Sequence, residues 1–130
     1  MSNDVGRESS NIQINPDLIY LLVKGGISQN AARVLISLFE QSPSDVTSLK
    51  KSCGISQPEV SIGISELDGL GIVGKKIVHS SGRGRPRHQY VLLSGIDKIL
   101  ILIIERAQRS LEKLNSGMKE LEEIVASIRN

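Results

Sequence analysis

Ile55-Ser56-Gln57-Pro58-Glu59-Val60 carries the sharpest local instruction in the chain. Ser56 and Glu59 have the spacing of a capping box, in which each side chain satisfies the other residue's orphan backbone N–H. Ile55 and Val60 are placed as the accompanying hydrophobic staple. A helix over residues 57–70 is therefore expected, with Val60, Ile64 and Leu67 on its inner face. The opposite face carries Pro58, Ile62, Ser65 and Gly69, with Ser61 beside them and Glu59 and Glu66 on the flank. Its residues are small, so another backbone can approach closely.

Upstream of this stretch, three shorter helices are expected. Asn15 as N-cap and Pro16 at the first helical position start one whose stripe is Leu18, Ile19, Leu22 and Val23, stopped by Gly25-Gly26. Ser28 caps a second, with Ala31, Val34, Leu35, Leu38 and Phe39 at 3,4 spacing, ending before Pro43. After an extended Asp45-Val46, Thr47 caps a third over residues 48–53, closed by Gly54. Residues 1–14 are polar and aperiodic and read as a mobile tail. Downstream, residues 72–78 and 89–93 are rich in β-branched or large apolar side chains and flank a Gly/Ser/Arg/Pro loop, which predicts a hairpin.

Beyond residue 96 the pattern is helical to the end. Leu100, Ile104, Ala107, Leu111, Leu114, Met118, Leu121, Val125 and Ile128 alternate spacings of four and three, a seven-residue repeat without a slip. A helix over residues 96–128 is about 50 Å long at 1.5 Å per residue, more than a small domain can cover. The expected partner is a second copy, giving a homodimer; intramolecular packing on the helix over residues 15–24 is the alternative. Ile103 and Ile124 widen the stripe, as contact with a further element would require. Asn115-Ser116-Gly117 is expected to be a flexible point rather than an end.

Charge separates along the 130 residues although the net is only +2. Residues 1–73 hold five Lys/Arg against eight Asp/Glu, residues 74–93 hold five basic residues and no acid, and residues 94–130 hold six of each. Solubility needs no such segregation, whereas a polyanion site does. The basic residues are Lys75, Lys76, Arg83, Arg85 and Arg87, with His88 among them. With three aromatic residues in all (Tyr20, Phe39 and Tyr90), the core must be aliphatic.

Two helices joined by a tight glycine-containing turn and followed by a hairpin give the order of a winged helix-turn-helix. Over residues 28–93 the sequence resembles the winged-helix transcription regulators of the MarR, ArsR and TrmB type, particularly those with a Gly-Arg-Gly-Arg-Pro wing. The fold class expected is mainly α with a small β-hairpin: a winged helix-turn-helix over residues 15–93 followed by a long C-terminal dimerisation helix over 94–130. The resemblance implies that the helix over residues 57–70 enters the major groove of duplex DNA and that the wing, residues 79–88, meets backbone or minor groove. Residue chemistry agrees. Ser61 and Ser65 can bond phosphates or base edges, Gln57 can pair with adenine, Pro58 lies on the same face, and Ile62 either packs on a thymine methyl or under the wing. Arg83 and Arg85 sit in a thin Gly-Arg-Gly-Arg-Pro strand that fits a narrow A·T minor groove, or else touches phosphates alone. Lys75, Lys76, Arg87 and His88 are expected phosphate neighbours.

No catalytic assembly is expected from two histidines at the wing and one cysteine, Cys53, on a core-facing position. Cys53 reads as a small buried hydrophobe. No metal-ligand spacing and no cofactor motif occurs, and a dimer interface is the only expected place for a small-molecule effector of unknown identity. The single cysteine and the absence of an apolar leader or spanning run predict a cytoplasmic, nucleoid-associated protein without a membrane partner. A protein–protein adaptor and a non-specific architectural DNA protein are the competing readings.

Overall fold

The structure, a computed structural model, describes residues 16–78 and 87–130. The expected tail, the Asn15 cap and the wing residues Arg83 and Arg85 lie outside them. Element order is α1 (Pro16–Lys24), α2 (Gln29–Glu40), α3 (Val46–Cys53), α4 (Gln57–Gly69), β1 (Val73–Val78), β2 (Arg87–Leu92) and α5 (Ile96–Arg129).

The starts of α2, α3 and α4 each have a local chemical cause. The Ser28 hydroxyl accepts from the Ala31 N–H at the head of α2. At α3 the cap is Asp45 rather than Thr47, and its carboxylate accepts from the Ser48 N–H at 2.9 Å. A carboxylate so placed also meets the positive end of the helix dipole, which a threonine two residues later does not. The hydrogen bond from the Ser48 N–H holds the Asp45 carboxyl below its ordinary value. Asp45→Ala is therefore expected to cost about 1 kcal/mol at neutral pH. Because the folded pKa is depressed, that contribution is complete above the ordinary carboxylate value and is lost as pH falls through the folded one. Urea midpoints of the two proteins should converge below about pH 4. Gly54 closes α3 at φ 68°, a left-handed conformation that glycine adopts without penalty.

The capping box of α4 is formed in full: the Ser56 hydroxyl accepts from the Glu59 N–H, and the Glu59 carboxylate accepts from the Ser56 N–H at 2.9 Å. Val60, Ile64 and Leu67 turn inward and join Leu35, Leu38, Leu49, Ile72 and Val73 in an aliphatic core, with Phe39 at its edge. Gly63 is the point of closest approach between α4 and α2. A Cβ there would stand 3.1 Å from the Asn30 carbonyl oxygen and 3.2 Å from the Ala31 nitrogen. The Glu66 side chain reaches back to the same place and accepts from the Ser28 N–H at 2.9 Å. It is therefore a tie between α4 and the head of α2, not a flanking solvent charge.

The hairpin pairs Val73 with Leu92 and continues in register to Val78 opposite Arg87. Its first strand begins one residue later than expected, and its second starts two residues earlier and ends one earlier. β2 is also pinned to the loop before α3: Ser44 and Tyr90 exchange both backbone hydrogen bonds, and the Ser42 hydroxyl accepts from the Leu92 N–H at 3.1 Å. The base of the hairpin and the helical core are thereby joined by backbone.

In α1, Leu22 is buried and Leu18 and Ile19 are half-buried, but Val23 is exposed, contrary to the expected stripe. Nine residues present too narrow a face for four apolar side chains to reach one neighbour. Ile96, Ile99 and Ile103 of α5 are buried against the core, and no side chain of α5 is buried beyond Ile103. The helix continues unbroken through Asn115, Ser116 and Gly117.

Candidate nucleic-acid interface

α3 and α4 are linked by Gly54-Ile55-Ser56, a turn short enough that the two caps fix the angle at which the chain enters α4. With its inner face committed to the core, α4 presents Gln57, Pro58, Ser61, Ile62 and Ser65, all exposed. Ile62 is 61 % exposed, so it does not pack beneath the described part of the hairpin. A large apolar side chain open to solvent among serines is suited to a methyl-bearing partner.

The hairpin adds charge beside this face, and strand alternation sorts it. Ser61, Ser65 and Lys75 line a cleft of about 230 Å³ between α4 and the hairpin, together with Asp68 and Tyr90. Lys75 lies opposite Tyr90 and Ile77 opposite His88, so His88 shares the strand face of Lys75. Lys76 and Arg87 belong to the other face, as successive residues must. Lys75, Lys76, Arg87 and His88 are all exposed. The structure thus gathers Ser61, Ser65 and Lys75 at one cleft and leaves Lys76 and Arg87 behind it. Arg83 and Arg85 cannot be placed, since the loop joining the strands is outside the described residues.

Tyr90 and Asp68 were absent from the sequence-based set. A lone tyrosine in a strand carries a weak signal, an apolar body with a polar end. The position of Asp68, which puts an acid near Lys75, depends on the crossing of α4 and β1 and has no local signature.

Helices α1 to α5 around a β1–β2 hairpin, with α4 exposed and one long terminal helix, can be compared with solved structures. A possible transcriptional regulator from Methanosarcina mazei Go1 superposes with a TM-score of 0.59 at 20 % identity, covering 80 % of this chain and 85 % of that one. A MarR-family transcriptional regulator from Silicibacter pomeroyi superposes at 0.53 with 17 % identity, covering 95 % and 79 %. The chain has the MarR-type winged-helix fold. NadR, solved in complex with 4-hydroxyphenylacetate, shares it at a TM-score of 0.52 and 19 % identity, covering 98 % of this chain and 92 % of NadR. No protein-family model and no curated protein matches the chain.

In the MarR-type fold, α3 and α4 are the helix-turn-helix and the β1–β2 hairpin is the wing. Among the described residues no cluster of His, Cys, Asp and Glu could hold a metal ion, and no helix is long and apolar enough to cross a membrane. Cys53 is half-buried on the far side of α3, its thiol directed at the Arg33 carbonyl oxygen at 3.4 Å, and burial raises its pKa. A thiol so protonated is a poor nucleophile.

Proposed function

We propose that this chain is a DNA-binding transcription regulator that acts as a homodimer, with α4 in the major groove and the basic wing over residues 79–88 at the minor groove or backbone. Residues 15–93 would read the duplex and residues 94–130 would pair the copies. The observation that carries the reading is the cleft where Ser61 and Ser65 of α4, beside an exposed Ile62, meet Lys75 from the one stretch of chain that holds five basic residues and no acid. Small polar residues let the helix approach base edges, and lysine neutralises the phosphates that flank them. The likeness to solved regulators in fold supports the same assignment.

The test is a fluorescence-anisotropy titration of the full chain on duplex DNA at several salt concentrations. Binding that weakens steeply with salt, and differs between a selected genomic site and an unrelated duplex, is expected. Equal affinity for all duplexes would point instead to an architectural protein, and absence of duplex binding would favour a protein adaptor. Changing Arg83 and Arg85 together to Ala is expected to weaken binding and reduce preference for flanking A·T pairs. Unchanged preference with a shallower salt slope would assign both residues to phosphates alone.

A further inference from the structure

The helix proposed to enter the major groove carries no cation. From Gln57 to Gly69 its only charged residues are Glu59, Glu66 and Asp68. Arg and Lys are the usual readers of guanine, through O6 and N7, so α4 holds none of the side chains that make the commonest base-specific contact. Two of its three acids are also engaged elsewhere. Glu59 accepts from the Ser56 N–H in the capping box, and Glu66 accepts from the Ser28 N–H at the head of α2. Asp68 lies in the last turn, in the cleft with Lys75, whereas recognition helices meet base edges with their N-terminal residues.

The exposed outer face of the first two turns is Gln57, Pro58, Ser61 and Ile62. Ile62 is the one large apolar side chain of α4 left open to solvent, and Pro58 and Ser65, one turn before and after it, are compact. Resting on the DNA-binding reading above, we propose that Ile62 reads a thymine. Its side chain packs on the 5-methyl group that thymine presents in the major groove, and the duplex this chain selects carries an A·T pair at that level.

Chemistry, stiffness and charge each favour the contact. Thymine alone among the four bases offers a methyl group in the groove, so an apolar side chain there discriminates without a hydrogen bond. An isoleucine in a helix keeps largely one χ1 rotamer, so little side-chain freedom is lost when it is covered. The backbone beneath it is fixed, because the next residue is Gly63, where a Cβ would stand 3.1 Å from the Asn30 carbonyl oxygen. Lys75 meets α4 in the cleft with Ser61 and Ser65, from the stretch that holds five basic residues and no acid. A polyanion whose groove displays methyl groups matches both the charge and the isoleucine; an apolar protein surface matches the isoleucine alone.

The probe is a duplex selected from genomic fragments by the full, unsubstituted chain. It is synthesised again with each thymine in turn replaced by deoxyuridine, which keeps the pairing edge and lacks the methyl group. Fluorescence anisotropy then compares the unsubstituted chain with Ile62→Ala. At one thymine, loss of the methyl group should weaken the unsubstituted chain about 4-fold, the worth of one buried methyl-sized group. Ile62→Ala should bind the thymine duplex more weakly and lose nothing further at that position. The coupling should be the same at every salt concentration, since isoleucine neutralises no phosphate. Thermal unfolding of Ile62→Ala should be no earlier than that of the unsubstituted chain, because alanine is the better helix former at an exposed position.

Duplex binding that no deoxyuridine replacement weakens overturns the thymine contact and leaves the DNA-binding regulator standing. So does an Ile62→Ala chain that responds to every replacement as the unsubstituted chain does. Absence of duplex binding overturns both.

Discussion

Gly63→Ala should lower the stability of the folded chain, although alanine is the better helix former. In an unconstrained helix the change is worth about 1 kcal/mol in favour of alanine. At Gly63 the new methyl would stand 3.1 Å from the Asn30 carbonyl oxygen and 3.2 Å from the Ala31 nitrogen, backbone atoms at the start of α2 that cannot rotate aside. Overpacking of that kind typically costs about 1–3 kcal/mol, so it outweighs the propensity gain. Gly63→Leu should cost more, since α2 and α4 would have to separate and Glu66 would lose the Ser28 N–H. Gly69 supplies the contrast: it ends the same helix with nothing within 4 Å of its Cβ position, so Gly69→Ala should leave the melting temperature level or higher. Thermal unfolding followed by helical circular dichroism separates the cases. A rise in melting temperature for Gly63→Ala would show that α2 and α4 do not meet there.

Lys75→Glu should weaken duplex binding on the order of 10- to 100-fold and lower the salt slope by about two for a dimer, one released counterion per copy. The carboxylate would stand in the cleft with Ser61 and Ser65, beside Asp68, and repel the phosphates that the lysine neutralises. Lys76→Glu changes the charge equally, but on the other strand face, and should weaken binding less. Equal losses for the two variants would mean that the hairpin acts as a diffuse cation and that the α4 cleft has no special part. Both strand positions are exposed, so melting temperatures should stay unchanged and the comparison reports binding alone.

Where structure is specified by neighbouring residues, it was legible in the sequence. The Ser56–Glu59 box, the Gly54 stop, the inward Val60, Ile64 and Leu67, and the α5 stripe each depend on offsets of seven residues or fewer. What escaped depends on parts of the chain far apart. Nothing local announces that Glu66 will cap a loop 38 residues away, that Ser44 will pair with Tyr90, or that Gly63 is glycine because α2 crosses there. The sequence reading put the α3 cap at Thr47, and the correction to Asp45 came only from the geometry of the Ser48 N–H. Periodicity also did not separate the core-facing side chains of α5 from its exposed stripe. Ile96, Ile99 and Ile103 are buried in the core of their own chain, while the heptad series, half-buried at Leu100, is exposed from Leu111 onward.

That division makes α5 a length standard. The last buried side chain of α5 is Ile103, and 26 residues of the helix follow it. Seven residues added there would preserve the heptad phase and lengthen the helix by about 10.5 Å, the rise of roughly three base pairs. Under the homodimeric reading proposed above, that increment would change the distance between the α4 helices of the two copies. Half-site spacing would then be set by α5 and base contacts by α4, on separate parts of the chain.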